Sequence, residues 1–306
     1  MPPGVLDWLR PSAYHEAMQR RPGWNATRRN RNIGTPKAGH GQDNRLVIPS
    51  RWGRGEDGPY WAQIRNYRTV RRDVHGRPLH FVVEPPRRGF LHPCTVDDVV
   101  TVLSALPKEV LEAPEGYGLA GIILRQPSRK QGILEPCWGR LAWHLELGPV
   151  QGPAIYLDAQ RVPLRLRRSL RLDVEQEAEL RRLREEADEM HSDKRAHHLT
   201  FGLEGLRRVL LYRTLLHELG HLVDFWDRVI RPELLGGDLL ELHDAYDSRP
   251  VREREEVAHR FAERWSATLR EQGYIPFPRL VDLAAMEADG LDPAAFLPPK
   301  ALPGTT

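Results

Sequence analysis

The sequence predicts an α+β chain in which a small sheet precedes a mainly helical part. Three observations carry this. Four runs rich in β-branched and aromatic residues fall between residues 79 and 159, and segments of helical period dominate from Asp173 onward. The composition, 40% hydrophobic and 28% charged, is that of an ordinary soluble globular chain. At 306 residues there is material for a sizeable core in one or two domains.

Residues 1–70 read as a basic, loop-rich N-terminal extension. The stretch "RRPGWNATRRNRNIGTPKAGHGQDNR" is dense in Gly, Pro, Asn and Arg and has no apolar periodicity. Trp8, Trp24, Trp52, Tyr60 and Trp61 punctuate this segment. Order is expected to begin near Tyr67, with residues 71–306 forming one domain: a sheet-bearing part at 71–160 and a helical part at 173–306. The strands are "LHFVVE" (79–84), "AGIILRQP" (120–127), "GRLAWHLEL" (139–147) and "AIYLDA" (154–159). Between the first two lies a helix, "TVDDVVTVLSALPKEVL" (95–111). Thr95 is its N-cap, Asp97 and Asp98 sit in its first turn, and Pro107 ends or kinks it. "DVEQEAELRRLREEADEM" (173–190) is a charged surface helix with Asp173 and Gln176 as a capping box. His191, His197 and His198 follow in a polar connector, without the rigid spacing of a metal site.

Charge is unevenly spread. Residues 1–88 hold 17 Lys and Arg against 7 Asp and Glu, while the remainder holds 28 against 35. Such a front segment suits nucleic acid or an acidic partner, and aromatic residues among arginines can stack on bases. A bland origin competes: 40 Arg against 5 Lys is a skew that GC-rich coding also produces. Cys94 and Cys137 are far apart and form no CxxC pair, so neither a disulfide scaffold nor a thiolate zinc site is expected. No signal-peptide pattern opens the chain, and no apolar run approaches the ~18 residues of a membrane span. A cytoplasmic chain without membrane contact is the expectation.

The chemistry concentrates in "LLHELGHLVDFW" (215–226). At about 100° per residue, His217 and His221 project the same way, one turn apart, with Glu218 flanking them. Thr214, Asp224, Arg213 and Arg228 share that stripe, and Leu215, Leu219, Leu222, Trp226, Tyr212 and Val223 occupy the opposite side. This is a helix buried on one face and lining a cleft with the other. Two neutral imidazoles can bind a zinc ion and leave room for a third protein ligand and a water, whose proton a neighbouring carboxylate takes. Glu218 is that carboxylate.

The third ligand lies elsewhere, and three places compete. Asp227 is the tenth residue from His217, but "LVDFWDRVI" continues as helix and carries it about 80° off the histidine stripe. His243 and Asp244 follow the Gly236-Gly237 break, with no spacing that favours them. In the helix "VREREEVAHRFAERWSATLREQG" (251–273), Ala258, Phe261, Ala262, Trp265 and Leu269 form the inward face. Glu255 lies at the edge of that face, Glu256 points to solvent and His259 is marginal. Helical geometry therefore selects Glu255, whose buried charge a metal would neutralise.

"HELGHLVD" followed by "EEVAHRFA" resembles the gluzincin metallopeptidases, and most closely the branch of lethal-factor-like toxins and other bacterial zinc-dependent peptidases. Their pattern is HExGHxxD, then ExxAxxFA with its first Glu on the zinc. The resemblance implies a zincin-like fold, a small mixed sheet packed on the active-site helix. It also implies one zinc ion on His217, His221 and Glu255, Glu218 as general base, and a protein or peptide substrate. The family often has an acidic residue where this chain has His259, which would support Glu255 from behind. Tyr246 is a candidate donor to the scissile carbonyl, at a spacing unlike that of lethal factor, and Asp224 is a candidate to orient His221. Two alternatives stand beside this reading: a SprT-like DNA-associated protease recruited by the basic arm, and a non-catalytic zincin-fold binding or regulatory module.

Overall fold

The computed structural model describes residues 64–111, 113, 117–126 and 138–298. The chain divides into two units at Gly55, and all that is described belongs to the second. The expected arm up to residue 63 and Cys137 lie outside the described residues.

The architecture is α+β, with a mixed five-stranded sheet where four strands were expected. β1 (Arg68–Val74) and β2 (Arg77–Val83) form an antiparallel hairpin. His75 and Gly76 turn it with φ of 52° and 77°, the two left-handed residues that a tight two-residue loop demands. β1 escaped the sequence reading because it presents only Val70 and Val74 to the core. Between them Arg72 is ion-paired to Asp97 and Asp289. α1 (Val96–Ala105) and α2 (Lys108–Leu111) then flank Pro107, and the capping box on α1 pairs Thr95 with Asp98. β3 (Gly121–Arg125) runs parallel to β2, and β5 (Val150–Asp158) runs parallel to β3. β4 (Gly139–Leu147) closes the order β1-β2-β3-β5-β4 as an antiparallel edge strand.

A second, three-stranded sheet replaces the expected connector. β6 (Leu164–Ser169) pairs with β8 (Ala196–Phe201), which pairs with β7 (Glu189–Ser192). The charged helix α3 (Val174–Glu186) keeps its Asp173–Gln176 capping box but ends before Glu189. His191 and His198 therefore sit opposite one another on neighbouring strands, rings stacked at 4.9 Å. Leu166, Leu199 and Phe201 give this sheet its own core against Leu180 and Leu183.

On the larger sheet, Phe81, Ile122 and Ile155 meet Val99, Val102 and Leu103 of α1 and the leucines of the histidine helix. One buried ion pair ties these layers together. Arg207 reaches Asp98 through Nε at 3.1 Å and Nη2 at 3.0 Å, and both side chains are almost fully enclosed. Asp98 also accepts the Thr95 and Leu280 N–H groups, and Arg207 donates to the Phe277 carbonyl, so the polar atoms compensate one another. Among the described residues no helix is long and apolar enough to cross a membrane.

His92 sets an acid limit on this fold. It is 1% exposed, and its Nε2 bonds the Glu84 carbonyl at 2.8 Å. Burial pushes its imidazole down from 6.5 to about 4, against that hydrogen bond. The stabilising effect of a depressed imidazole is full above pH 6.5 and is lost as pH falls to about 4, because the unfolded chain takes the proton first. The expected loss is about 3 kcal/mol. Urea titrations between pH 7 and 4 check this, and His92→Gln, which keeps the donor, flattens the decline.

Candidate metal centre

The segment around "HELGH" changes helical geometry twice. α4 (Leu203–Arg208) leads into a wider π-helical stretch at Val209–Leu215. α5 (Leu216–Phe225) is regular α-helix, a second π stretch covers Trp226–Ile230, and α6 (Arg231–Leu234) follows. Interruptions of this kind collect at functional sites. Because α5 itself is regular, i,i+4 spacing brings the His217 and His221 rings to a centroid distance of 4.7 Å.

α7 (Leu239–Ser248) and α8 (Val251–Glu271) complete the layer. Ala258, Ala262 and Leu269 of α8 are buried as expected, and Phe261 and Trp265 partly so. α5 and α8 touch at Gly220, where a Cβ would stand 2.9 Å from the Ala258 Cα and 3.0 Å from the Phe261 Cβ. Only glycine permits this approach, and the approach carries Glu255 to the histidines. Gly220→Val is therefore expected to cost roughly 1–3 kcal/mol through overpacking and to weaken metal affinity as the helices part. Thermal unfolding and zinc titration read the two effects.

His217, His221 and Glu255 converge. Nε2 of His217 lies 3.1 Å from Nε2 of His221 and 3.2 Å from one Glu255 oxygen, and His221 lies 3.5 Å from the other. Hydrogen bonds from His217, then His221, hold the Glu255 carboxyl well below the usual carboxylate range. Among the described residues this is the one group of three side chains able to hold a metal ion. Two imidazoles and a carboxylate are a zinc donor set, and tetrahedral bonds of about 2.0–2.1 Å separate ligand atoms by about 3.3 Å. The donor atoms present fit.

Glu218 stands beside them without joining them. Its Oε2 accepts the Leu141 N–H of β4 at 2.8 Å, and burial pushes its carboxyl up against the pull of His217 and His221. β4 comes this close because Gly139 has no side chain: a Cβ there would lie 2.6 Å from Thr214 Cγ2. The register shift between Ala142 and Leu145 marks a bulge at Trp143. Trp143 packs on Phe225 at 4.5 Å and on Tyr246 at 6.3 Å. Trp143 and Tyr246, with Arg254 and Val251, wall a cleft of about 360 Å³ over the histidines.

The other candidates have different partners. Glu256 faces solvent, paired with Arg252 and Arg260, and Asp227 is half-exposed and paired with Arg231. His243 is held by Asp247 and the Phe225 ring, and Asp244 is exposed. Asp224 is buried between Arg228 and Arg249, at 2.8 and 2.7 Å, and so is engaged away from His221. Arg213 is paired with Glu179 at 2.5 Å. His259 packs on the His217 ring at 4.4 Å. Tyr246 does line the cleft; it is buried, and burial with the nearby Asp224 charge pushes its phenol up to about 12. Leu141, Trp143 and Arg254 were not expected. The bulged, aromatic edge strand "GRLAWHLEL" carried the only available signal for the first two. No protein-family model, curated protein or solved structure gives a significant match to this chain.

Proposed function

We propose that the chain is a zinc-dependent peptidase of the zincin type. The observation that carries this is the convergence of His217, His221 and Glu255. The histidine Nε2 atoms stand 3.1 Å apart, and the two Glu255 oxygens lie 3.2 Å from His217 and 3.5 Å from His221, spacings near those between ligands of a tetrahedral zinc ion. His217 and His221 would hold the ion through Nε2 and Glu255 through its carboxylate, and bound zinc would supply Lewis acidity. Glu218 would take a proton from the attacking water and pass it to the leaving amine, with the Leu141 N–H keeping its carboxylate turned inward. Tyr246 remains protonated at neutral pH and donates to the scissile carbonyl.

An extended peptide suits the remaining wall. The Leu141 N–H points away from β5 toward Glu218, so the Leu141 carbonyl faces the same open side. A substrate strand can add to that edge. Chelator-stripped protein, reloaded with one equivalent of zinc and offered a mixed peptide library, is expected to cleave peptide bonds only when loaded. No cleavage by zinc-loaded protein, or cleavage indifferent to chelation, contradicts the reading.

A further inference from the structure

Two arginines enter the cleft with no carboxylate there left to pair with them. Arg254, from the start of α8, and Arg140, from the edge strand β4, both line it. The two carboxylates that line it are committed: Glu255 to His217 and His221, and Glu218 to the Leu141 N–H. Arg254 is partly buried. Its guanidinium stands 5.7 Å from the centre of the Tyr246 ring, and its Nε is enclosed without a hydrogen-bond partner. The one ion pair it makes is loose, with Nη1 3.9 Å from an Asp247 carboxylate that is 53% exposed, where such a contact contributes little. Arg140 is exposed and makes no ion pair among the described residues. Asp158, whose carboxyl feels the Arg140 charge, is taken by Arg125 at 2.6 Å.

A guanidinium presents N–H groups in the spacing of a carboxylate's two oxygens, and an enclosed N–H is costly until a partner arrives. Resting on the peptidase reading of the site, we propose that Arg254 binds a carboxylate of the substrate. Arg140 adds a second positive charge, so that the cleft selects acidic peptides. Arg254 directly precedes Glu255 on α8 and shares the cleft with Glu218, so the carboxylate it holds belongs to a residue near the scissile bond. Trp143 and Tyr246 add aromatic wall, which strengthens an ion pair relative to open water. Lysine and arginine side chains meet like charge there and are disfavoured. An aspartate or glutamate side chain and the peptide's own C-terminus offer the same two oxygens, and either source satisfies Arg254.

The test takes peptides that zinc-loaded wild type cleaves from a mixed library. Each acidic side chain is replaced in turn by its amide, and separately the C-terminal carboxylate is amidated. The expected result is a drop of about 10–100-fold in kcat/KM on one of these changes, shrinking as salt is raised. A drop with asparagine or glutamine assigns the carboxylate to a side chain, and a drop on amidation assigns it to the chain end. Arg254→Gln is expected to bring the acid-to-amide ratio close to one, and Arg140→Gln to lower it by a smaller factor. Arg254 also meets Tyr246 and neighbours Glu255, so its loss can slow both peptides alike; the ratio removes that common factor, and chelator competition checks that zinc is kept. Should Arg254→Gln fail to fold, Arg140→Gln and the salt dependence of wild type decide, and a ratio unmoved by both overturns the proposal. Wild type that cuts acid and amide peptides equally well overturns it and leaves the peptidase reading standing, as does full discrimination in Arg254→Gln. Zinc-loaded wild type that cleaves nothing overturns both.

Discussion

Glu218→Gln is expected to keep zinc and lose peptide hydrolysis, by on the order of 10³-fold in kcat. The reasoning is geometric. Glu218 is held by the Leu141 N–H at 2.8 Å and stands outside the group of His217, His221 and Glu255. A glutamine carbonyl oxygen accepts the same bond, so the edge strand and the cleft keep their shape. What disappears is the carboxylate to which the proposed chemistry delivers a proton. Loss of metal in this variant would make Glu218 a ligand, and unchanged turnover would remove it from the chemistry. Metal analysis beside single-turnover kinetics separates the two.

Glu255→Ala is expected to lose the metal, with zinc affinity falling at least about 100-fold, more than loss of a supporting group costs. Two imidazoles remain, their Nε2 atoms 3.1 Å apart, with nothing to close the third side. Glu256→Ala is the matched control. Its carboxylate is one residue away but pairs with Arg252 and Arg260 on the outer face, so affinity should not change. Comparable losses in both variants would indicate a general electrostatic effect of acidic charge on α8.

Much of this arrangement was legible because helices are local. Caps at Thr95 and Asp173, the break at Pro107 and the inward face of α8 follow from residues within a turn or two of each other. The same period puts His217 beside His221 and turns Glu255 inward but Glu256 outward. Strands were harder to read. β1 and β6 carry arginines between their apolar residues, so alternation was diluted, and the carboxylates that pair with Arg72 are Asp97 and the distant Asp289. The bond from Leu141 to Glu218 joins a backbone N–H to a residue 77 positions away, and a backbone group has no sequence signature. Asp224 looked like a support for His221. Arg249, which claims it, comes from the far end of α7, beyond what one helix can reveal.

The metal itself provides the most direct measurement. X-ray absorption and elemental analysis of protein reconstituted with zinc should give one ion per chain. The first shell should contain only nitrogen and oxygen at about 2.0–2.1 Å, with two imidazoles. Glu255→Ala should reduce both occupancy and shell. Protein that takes up no zinc, a shell containing sulfur, or a Glu255→Ala spectrum identical to wild type would contradict the account.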